Sequence, residues 1–365
     1  GIPTPHSVIL PAYAAEPDFR GMSLMGYDAM AVGNHEFDRL PELQARQWRE
    51  WSRFPWLSAN VMRQGQPVFE PYRVFRLGTV RVAVLGLTTE DTAKMGVQDR
   101  YAGVSFEPAA AAAARWVPRL RQKADVVVAL SHLGHDVDGR HGSAAPGDVT
   151  LARTVPGIDV VVGGHSHSLV CMVQENVRTE TYTPDGPCAP DRQNGAWILQ
   201  AGDRGRFVGR ADFVWHAGQL SLQRYRLLAV NLPGSAQRHA EDPGMLALLQ
   251  PFQAAGAATL DEIVGSSRGL LNGERDHIRH QRGALGQLLA EALRQAGQAD
   301  AAVLSSGGIR ASLPAGPIRR RDVLRTLPFG NRLVVVTLTG EELSAQVKAW
   351  MAMTPGSGAF AQFSG

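Results

Sequence analysis

Three short apolar runs, each followed at once by a histidine-containing turn, constrain the fold of this chain more than any other feature. The runs occupy residues 29–32, 126–130 and 160–162 and have the character of buried strands. They lead into Gly33-Asn34-His35-Glu36-Phe37-Asp38, Ser131-His132 and Gly163-Gly164-His165-Ser166-His167. In open α/β sheets, sites form beyond the carboxyl ends of strands. We therefore expect the three turns to meet at one sheet edge.

The side chains that these turns carry have the chemistry of a metal site. Asn34 offers an amide oxygen, and His132, His165 and His167 each offer a ring nitrogen. Imidazole and oxygen ligands without thiolate suit Zn, Mn, Co or Fe at a hydrolytic centre. The pattern therefore predicts a metal-dependent hydrolase.

His35 and Asp38 form a candidate catalytic pair beside that site. The Asp38 carboxylate, three residues after His35, can hydrogen-bond an imidazole nitrogen, which fixes the ring and favours imidazolium. A positioned imidazolium suits negative charge that develops on a phosphoryl oxygen.

Each motif taken alone has an ordinary structural explanation. A single histidine after a strand is more often a loop or core residue, and Asn-His or Gly-Gly-His-Ser-His can be turn chemistry. The occurrence of all three after strands favours a site. The weaker candidates His135, Asp136 and Asp138 fit either support of the ligands or a polar turn.

Longer strings carry a resemblance to a known family. They lie at residues 15–21, 26–30, 87–94, 145–149 and 193–197, and they extend the similarity over nearly the whole chain. Together with the three turns, they resemble the 5′-nucleotidase family of calcineurin-like metallophosphoesterases, most closely its bacterial periplasmic members that also hydrolyse UDP-sugars. The resemblance implies a four-layer α/β/β/α sandwich followed by a smaller α/β nucleotide-binding domain.

The resemblance also implies roles for individual residues. Family members bind two divalent ions (Zn, Mn or Co), bridged by an aspartate and a hydroxide that attacks phosphorus in line. Asn34, His132 and His165 would bind the second ion. His167 falls where the family has a ligand of the first ion, a position at which relatives often carry glutamine. His35 would stabilise the transition state, with Asp38 orienting it.

The C-terminal part of the chain contains a candidate nucleotide pocket. Guanidinium groups suit phosphate oxygens, and an aromatic face stacks on a base. From the residues alone, Arg275 and Arg279 could instead belong to a solvated basic face, and Phe329 could be a core aromatic. The resemblance assigns substrate contacts to Arg275, Arg279 and Arg310, base stacking to Phe329 and base-edge binding to Asn331.

Composition limits the partners and suggests a compartment. The net charge of +3 gives no argument for nucleic acid or a membrane, and no apolar run approaches the roughly 20 residues of a spanning helix. The two cysteines, Cys171 and Cys188, flank a polar segment that resembles a family region in which the pair is bridged. We expect a disulfide, a periplasmic location, a monomer, and a nucleotide or nucleotide-sugar substrate.

The predicted organisation has three parts. Residues 1–235 form the metallophosphoesterase domain, 236–262 an interdomain linker helix and 263–365 the substrate-binding domain. The predicted strands are 81–87, 196–201, 208–215 and 333–338. The predicted helices are 108–122, 148–154 with Asp148 as its N-cap, 245–258, 283–296 and 340–353.

Two family motifs do not occur where the resemblance expects them. An Asp-x-His on the first strand and a Gly-Asp after the second are missing, residue 1 is Gly, and the second base-clamping Phe would fall beyond residue 365. We expect the chain to be truncated at both ends. The leading function is hydrolysis of 5′-nucleotides and UDP-sugars. The alternatives are a 2′,3′-cyclic-nucleotide phosphodiesterase/3′-nucleotidase and a catalytically silent nucleotide-binding protein.

Overall fold

The computed structural model describes residues 15–38, 41–95, 98–136, 145–174, 176–179, 182, 186–232, 235 and 238–365. These residues divide into two compact units. One unit is Phe19–Met245, and the other comprises Leu246–Gly365 with residues 15–18. The predicted boundaries at 235/236 and 262/263 stay predictions.

The first unit mixes short helices with strands. Its helical segments are Asn34–Phe37, Pro41–Arg46, Gln47–Trp51, Thr92–Met95, Gln98–Tyr101, Ala109–Arg121 and Asp148–Thr154, together with Glu16–Leu24, whose first three residues are grouped with the other unit. Its strands are Met30–Ala31, Trp56–Leu57, Val61–Arg63, Gln66–Pro67, Tyr72–Leu77, Val80–Thr88, Ser105–Phe106, Val126–His132, Val160–Val162, Met172–Gln174, Val177–Arg178, Asp191–Gln193, Ala196–Leu199, Phe207–His216 and Gln219–Ala229.

A six-stranded sheet forms the frame of this unit. Its strand order is Asp191–Gln193, Ala196–Leu199, Val160–Val162, Val126–His132, Val80–Thr88 and Tyr72–Leu77. The four central strands are parallel, and both edge pairs are antiparallel. The parallel arrangement brings the carboxyl ends of the central strands to one edge of the sheet.

Apolar side chains cover both faces of this sheet. On one face, Leu85, Val127 and Val161 belong to a buried core with the inner faces of helices Ala109–Arg121 and Asp148–Thr154. On the other face, Val160 and Leu199 belong to a second cluster. This cluster also includes side chains of the hairpin 207–229 and both Cys171 and Cys188. The two cysteines form a disulfide, which confirms the predicted bridge.

The second unit is smaller. Its helical segments are Arg275–Ile278, Ala284–Gly297, Ser306–Gly308, Arg320–Thr326 and Gly340–Met351, and helix Pro243–Leu260 crosses the boundary between the units. Its strands are Ile263–Ser267, Ala302–Ser305, Gly316–Arg319 and Ala361–Ser364. They pair as two antiparallel two-stranded sheets, Ile263–Ser267 with Gly316–Arg319 and Ala302–Ser305 with Ala361–Ser364.

The mixed α/β class and most predicted elements are confirmed, and two predictions are wrong. The predicted strand 333–338 is irregular, and Val334 and Val336 are 74% and 67% exposed. A strand needs a neighbour for its backbone groups, and the described residues pair none with this segment. Asp148 is not an N-cap: Gly147 holds that position, and the buried Asp148 side chain accepts a hydrogen bond from Ser131 instead.

A helix that crosses a bilayer must be both long and apolar. Within the described ranges, no helix combines the length and the apolar character that spanning a bilayer requires.

Candidate active site

Asn34, His132 and His165 meet as the sequence predicts. The Asn34 side-chain oxygen lies 3.0 Å from His132 Nε2, although 98 residues separate them. The His132 and His165 rings lie 5.1 Å apart between centroids. His132 ends a central strand, and His165 follows Val160–Val162, its neighbour in the sheet.

Asn34 reaches this edge by a different route from the one predicted. Its strand, Met30–Ala31, pairs with Trp56–Leu57 outside the six-stranded sheet. The hydroxyl of Thr88, beside His132 in the sheet register, donates to the Val32 carbonyl at 2.7 Å. This bond ties the turn that carries Asn34 to the end of the sheet.

Two glycines allow the turns to approach the His132 ring. A Cβ at Gly33 would lie 2.9 Å from His132 Cε1 and 2.8 Å from the Glu36 carboxylate, and one at Gly164 would lie 3.2 Å from His132 Nδ1. The Gly33 amide donates to that buried Glu36 carboxylate at 2.7 Å, which closes the turn. A side chain at Gly33 or Gly164 would therefore crowd the His132 ring.

The environment of His132 favours a neutral imidazole. Burial is the largest cause that lowers the pKa of His132 well below its ordinary value, and the charge of His165 lowers it further. A neutral ring presents a nitrogen lone pair, which is the form that binds a metal.

His35 and Asp38 are in contact as predicted. His35 Nδ1 lies 2.8 Å from Asp38 Oδ2, and their side chains are 17% and 25% exposed. The Arg100 guanidinium donates to the Asp38 carbonyl, which fixes that turn. The pair is positioned, and solvent reaches it.

His165 and His167 lie on a strained turn. Their φ values are +72° and +61°, a left-handed region that costs a non-glycine residue energy. The buried Gln200 side chain holds this turn: its amide donates to the Gly164 carbonyl at 2.7 Å, and its oxygen accepts from Ser168 N at 2.6 Å.

Asp203 contacts His167 and was not identified from the sequence. Its Oδ2 lies 3.2 Å from His167 Nδ1. Burial alone raises the pKa of Asp203, but the hydrogen bond and charge of His167, with Arg206, bring that pKa below its ordinary value. Its position in the sequence could have identified it, because Asp203 follows strand Ala196–Leu199, which ends at the same sheet edge.

Asp148 is a second acidic side chain whose place the sequence did not reveal. It is completely buried, and one of its oxygens accepts from the hydroxyl of Ser131, the residue before His132. Burial raises the pKa of Asp148 to about 7, while the Ser131 hydrogen bond opposes the rise. Asp148 therefore lies directly behind the strand end that presents His132.

His135 and Asp136 belong to a polar network with Asp191 and Arg178. Buried His135 Nε2 lies 2.9 Å from Asp191 Oδ2, and Arg178 contacts both His135 Nδ1 at 3.2 Å and Asp136 at 3.7 Å. These contacts are consistent with His135 and Asp136 stabilising the turn that follows His132. Asp138 lies outside the described residues.

Three of the predicted substrate residues lie together in the second unit. Burial lowers the pKa of Arg279 to about 9, and the charges of Arg275 and Arg310 lower it further. The Arg310 guanidinium lies 5.5 Å from the Phe329 ring centroid. Asn331 is exposed in the irregular segment. Clustered guanidinium groups favour an anion.

The donor set fits a divalent ion in part. Asn34 and His132 direct an oxygen and a nitrogen toward each other, next to the His165 ring. Across the described ranges, no three His, Cys, Asp or Glu side chains are close enough to hold a metal together. His167 therefore does not complete a three-histidine centre with His132 and His165.

Family models match both ends of the chain. A model described as calcineurin-like phosphoesterase matches residues 8–169, and one described as 5′-nucleotidase, C-terminal domain, matches residues 258–365.

Whole-chain comparisons agree with these matches. The chain is 46% identical to Protein UshA of Yersinia enterocolitica, over 96% of this chain and 67% of that protein. It is 43% identical to Silent protein UshA(0) of Salmonella typhimurium, over 95% and 66%. The crystal structure of a 5′-nucleotidase precursor from Thermus thermophilus superposes with a TM-score of 0.81 at 31% identity, covering 98% of this chain and 69% of that one. The chain therefore belongs to the 5′-nucleotidase family of calcineurin-like metallophosphoesterases and is a phosphoester hydrolase.

Proposed function

We propose that this protein releases phosphate from 5′-nucleotides and also hydrolyses UDP-sugars. The observation that carries the proposal is the convergence of Asn34, His132 and His165, with the oriented His35–Asp38 pair on the same turn as Asn34. A 5′-nucleotidase from Thermus thermophilus is 31% identical over nearly the whole chain, which supports a nucleotide substrate.

The proposed cofactors are two divalent ions, Zn, Mn or Co. Asn34, His132 and His165 would hold one of them, and His167 would contribute to the other. Such ions stabilise charge on phosphoryl oxygens and make water a stronger nucleophile. The neutral form of His132, favoured by burial, suits this role because protonation would block its ring nitrogen.

His35 is the proposed catalytic residue. Asp38 Oδ2 lies 2.8 Å from its Nδ1, which fixes the ring plane and the direction of the other ring nitrogen. The other ring nitrogen then donates a hydrogen bond to a phosphoryl oxygen as negative charge develops there. Asp38 acts through His35 and does not itself touch substrate.

Substrate recognition is proposed for the second unit. The adjacent charges of Arg275, Arg279 and Arg310 suit the anionic part of a nucleotide, because phosphate would relieve their mutual repulsion. Phe329 offers a ring to a base, and Asn331 offers an amide to its edge.

We propose that the protein is a monomer located in the periplasm and has no nucleic-acid partner. We also propose the domain boundaries predicted from the sequence.

The name of one relative supports the alternative of a catalytically silent nucleotide-binding protein. Among the similar proteins, one that is 43% identical is named Silent protein UshA(0). The ordered His35–Asp38 contact favours chemistry, since binding alone does not need an oriented imidazole. A 2′,3′-cyclic-nucleotide phosphodiesterase/3′-nucleotidase remains the other enzyme alternative.

The experiment is a substrate panel on two proteins. One is this chain, and the other is the same chain extended with the segments of the Yersinia enterocolitica relative that lie outside the match, which covers 67% of that protein's length. Phosphate release is followed with Mn²⁺ from AMP, UMP, UDP-glucose, a 3′-nucleotide and a 2′,3′-cyclic nucleotide.

The outcomes separate the proposals. Hydrolysis of AMP, UMP and UDP-glucose by either protein supports the leading function. A preference for the cyclic and 3′-nucleotides supports the second enzyme. Nucleotide binding by calorimetry without any hydrolysis, in a folded extended chain, would overturn the leading function and support the silent one.

A further inference from the structure

We infer that Asp203 is a positioning residue for a metal ligand, holding the His167 ring so that its Nε2 binds a divalent cation. The inference rests on the proposed function, because it assumes the metal chemistry proposed above. It adds a residue that no sequence motif identified and a reason why this chain can use a histidine at position 167.

The contact between the two side chains fixes which nitrogen is used. His167 Nδ1 lies 3.2 Å from Asp203 Oδ2, with the side chains 25% and 14% exposed. A metal-binding histidine commonly donates its other ring N–H to a carboxylate, which orients the ring and strengthens the ligand. With Nδ1 against Asp203, a cation would bind His167 through Nε2.

The Asp203 carboxylate is itself held by basic side chains. Arg206 donates to Oδ1 at 2.7 Å, while Arg204 lies 3.5 Å from the Oδ2 atom that faces His167. The two oxygens therefore have separate partners, and rotation of the carboxylate would break both contacts. Such a carboxylate defines the direction of the imidazole better than a solvated one does.

Backbone contacts place Asp203 beside the histidine turn. Gly202 N donates to the Ser168 carbonyl at 2.9 Å, and Val170 N donates to the Gln200 carbonyl at 2.9 Å. The segment that follows His167 is thus joined to the segment that precedes Asp203. Because His167 has a φ of +61°, these contacts must hold a turn that the residue does not favour by itself.

A purely structural role is the competing explanation. In that case Asp203 anchors its own loop through Arg206 and Arg204, and its contact with His167 has no effect on cation binding. The two roles differ in coupling: positioning acts only through His167, whereas loop anchoring by Asp203 persists when His167 is replaced. A double-mutant cycle measures this difference.

The test measures affinity for Zn²⁺ and Co²⁺ by competition with a chromophoric chelator. The proteins are the wild type, Asp203→Asn, His167→Gln, the double variant and Asp203→Glu. The matched control is Asp212→Asn, because Asp212 also pairs with an arginine, Arg210, on an exposed strand. Thermal unfolding without metal reports whether each variant keeps the fold.

Positioning predicts that Asp203→Asn weakens the affinity for a metal by about 10- to 100-fold. The same change in the His167→Gln background should have no further effect, Asp203→Glu should restore part of the affinity, and the control should match the wild type. An unchanged affinity in Asp203→Asn, or an equal loss in both backgrounds, would overturn the inference.

Failure of the inference and failure of the proposed function give different results. A wild type that binds metal and hydrolyses UMP, with Asp203→Asn indistinguishable from it, refutes only the role of Asp203. A wild type and an extended chain that both bind no metal refute the proposed metal chemistry, and the inference falls with it.

Discussion

Replacing Asp148 by Asn should change how the stability of the first unit depends on pH. Asp148 is completely buried, and burial raises its pKa from 3.8 to about 7. One carboxylate oxygen accepts from the Ser131 hydroxyl, whereas Oδ2 has no hydrogen-bond partner among the described residues. The charged form therefore has poor compensation, and the protonated form is favoured in the folded state.

The size and sign of the effect follow from the shift in pKa. A rise from 3.8 to about 7 corresponds to a ceiling of about 4 kcal/mol, at about 1.4 kcal/mol for each pKa unit. Because the folded-state pKa is raised, the folded protein binds more protons between these values. The stabilisation is complete below pH 4 and is lost as pH rises through 7.

The assay is urea unfolding of the wild type and Asp148→Asn at several values between pH 5 and 8, followed by tryptophan fluorescence. Of the seven tryptophans, only Trp350 lies outside Phe19–Met245, so the signal reports the unit that contains Asp148. The control is Asp125→Asn. Its pKa is lowered by the Arg81 hydrogen bond, so both states stay ionised over this range.

The stability of the wild type relative to Asp148→Asn should fall from pH 5 to pH 8 by about 2–3 kcal/mol, the part of the ceiling that lies above pH 5. The corresponding difference for Asp125→Asn should not change with pH. A constant difference for Asp148→Asn would mean that this carboxyl group does not titrate between the two pH values, which would refute the reasoning from burial.

Three further predictions follow from local contacts. Denatured, unreduced protein should contain no titratable thiol, and reduction of Cys171–Cys188 should lower the unfolding free energy by about 3 kcal/mol, whereas two free thiols would contradict the bridge. Arg279→Ala should raise the KM for UMP by about 10- to 100-fold, since a charge-assisted hydrogen bond contributes about 1.5–3 kcal/mol; an unchanged KM would remove Arg279 from the pocket. Gly147→Ala should destabilise the first unit by more than about 2 kcal/mol, because the new Cβ would overlap backbone oxygens of the neighbouring loop. Gly265→Ala, with no atom within 4 Å of the new Cβ, is its control, and equal stability of the two variants would contradict the steric argument.

The main elements of the first unit could be predicted because their signals are local. Val126–His132 and Val160–Val162 are apolar runs, and the rule that sites follow strand ends brings His132 and His165 together. Asn34 reaches the same place by a different connection, through Thr88 and a separate pair of strands. The sequence could indicate the meeting of these turns but not that route.

The supporting residues could not be predicted because their signals are not local. Asp148 has the composition of an N-cap, and only the packing of its helix against Ser131 turns its side chain inward. Asp203 and Gln200 depend on the register between strands that lie far apart in sequence. Residues 333–338 have strand composition, but a strand also depends on a partner elsewhere in the chain.

The central claim is that the cluster at the strand ends binds metal and that His35 acts on the phosphate beside it. The most direct measurement is phosphate release from UMP by the extended chain after EDTA treatment and return of Mn²⁺, with bound metal counted in the same samples. EDTA should abolish turnover, Mn²⁺ should restore it, and His35→Ala should lose about 10²–10⁴-fold in kcat with its metal content unchanged. Turnover that survives EDTA, or an unaltered rate in His35→Ala, would contradict the account.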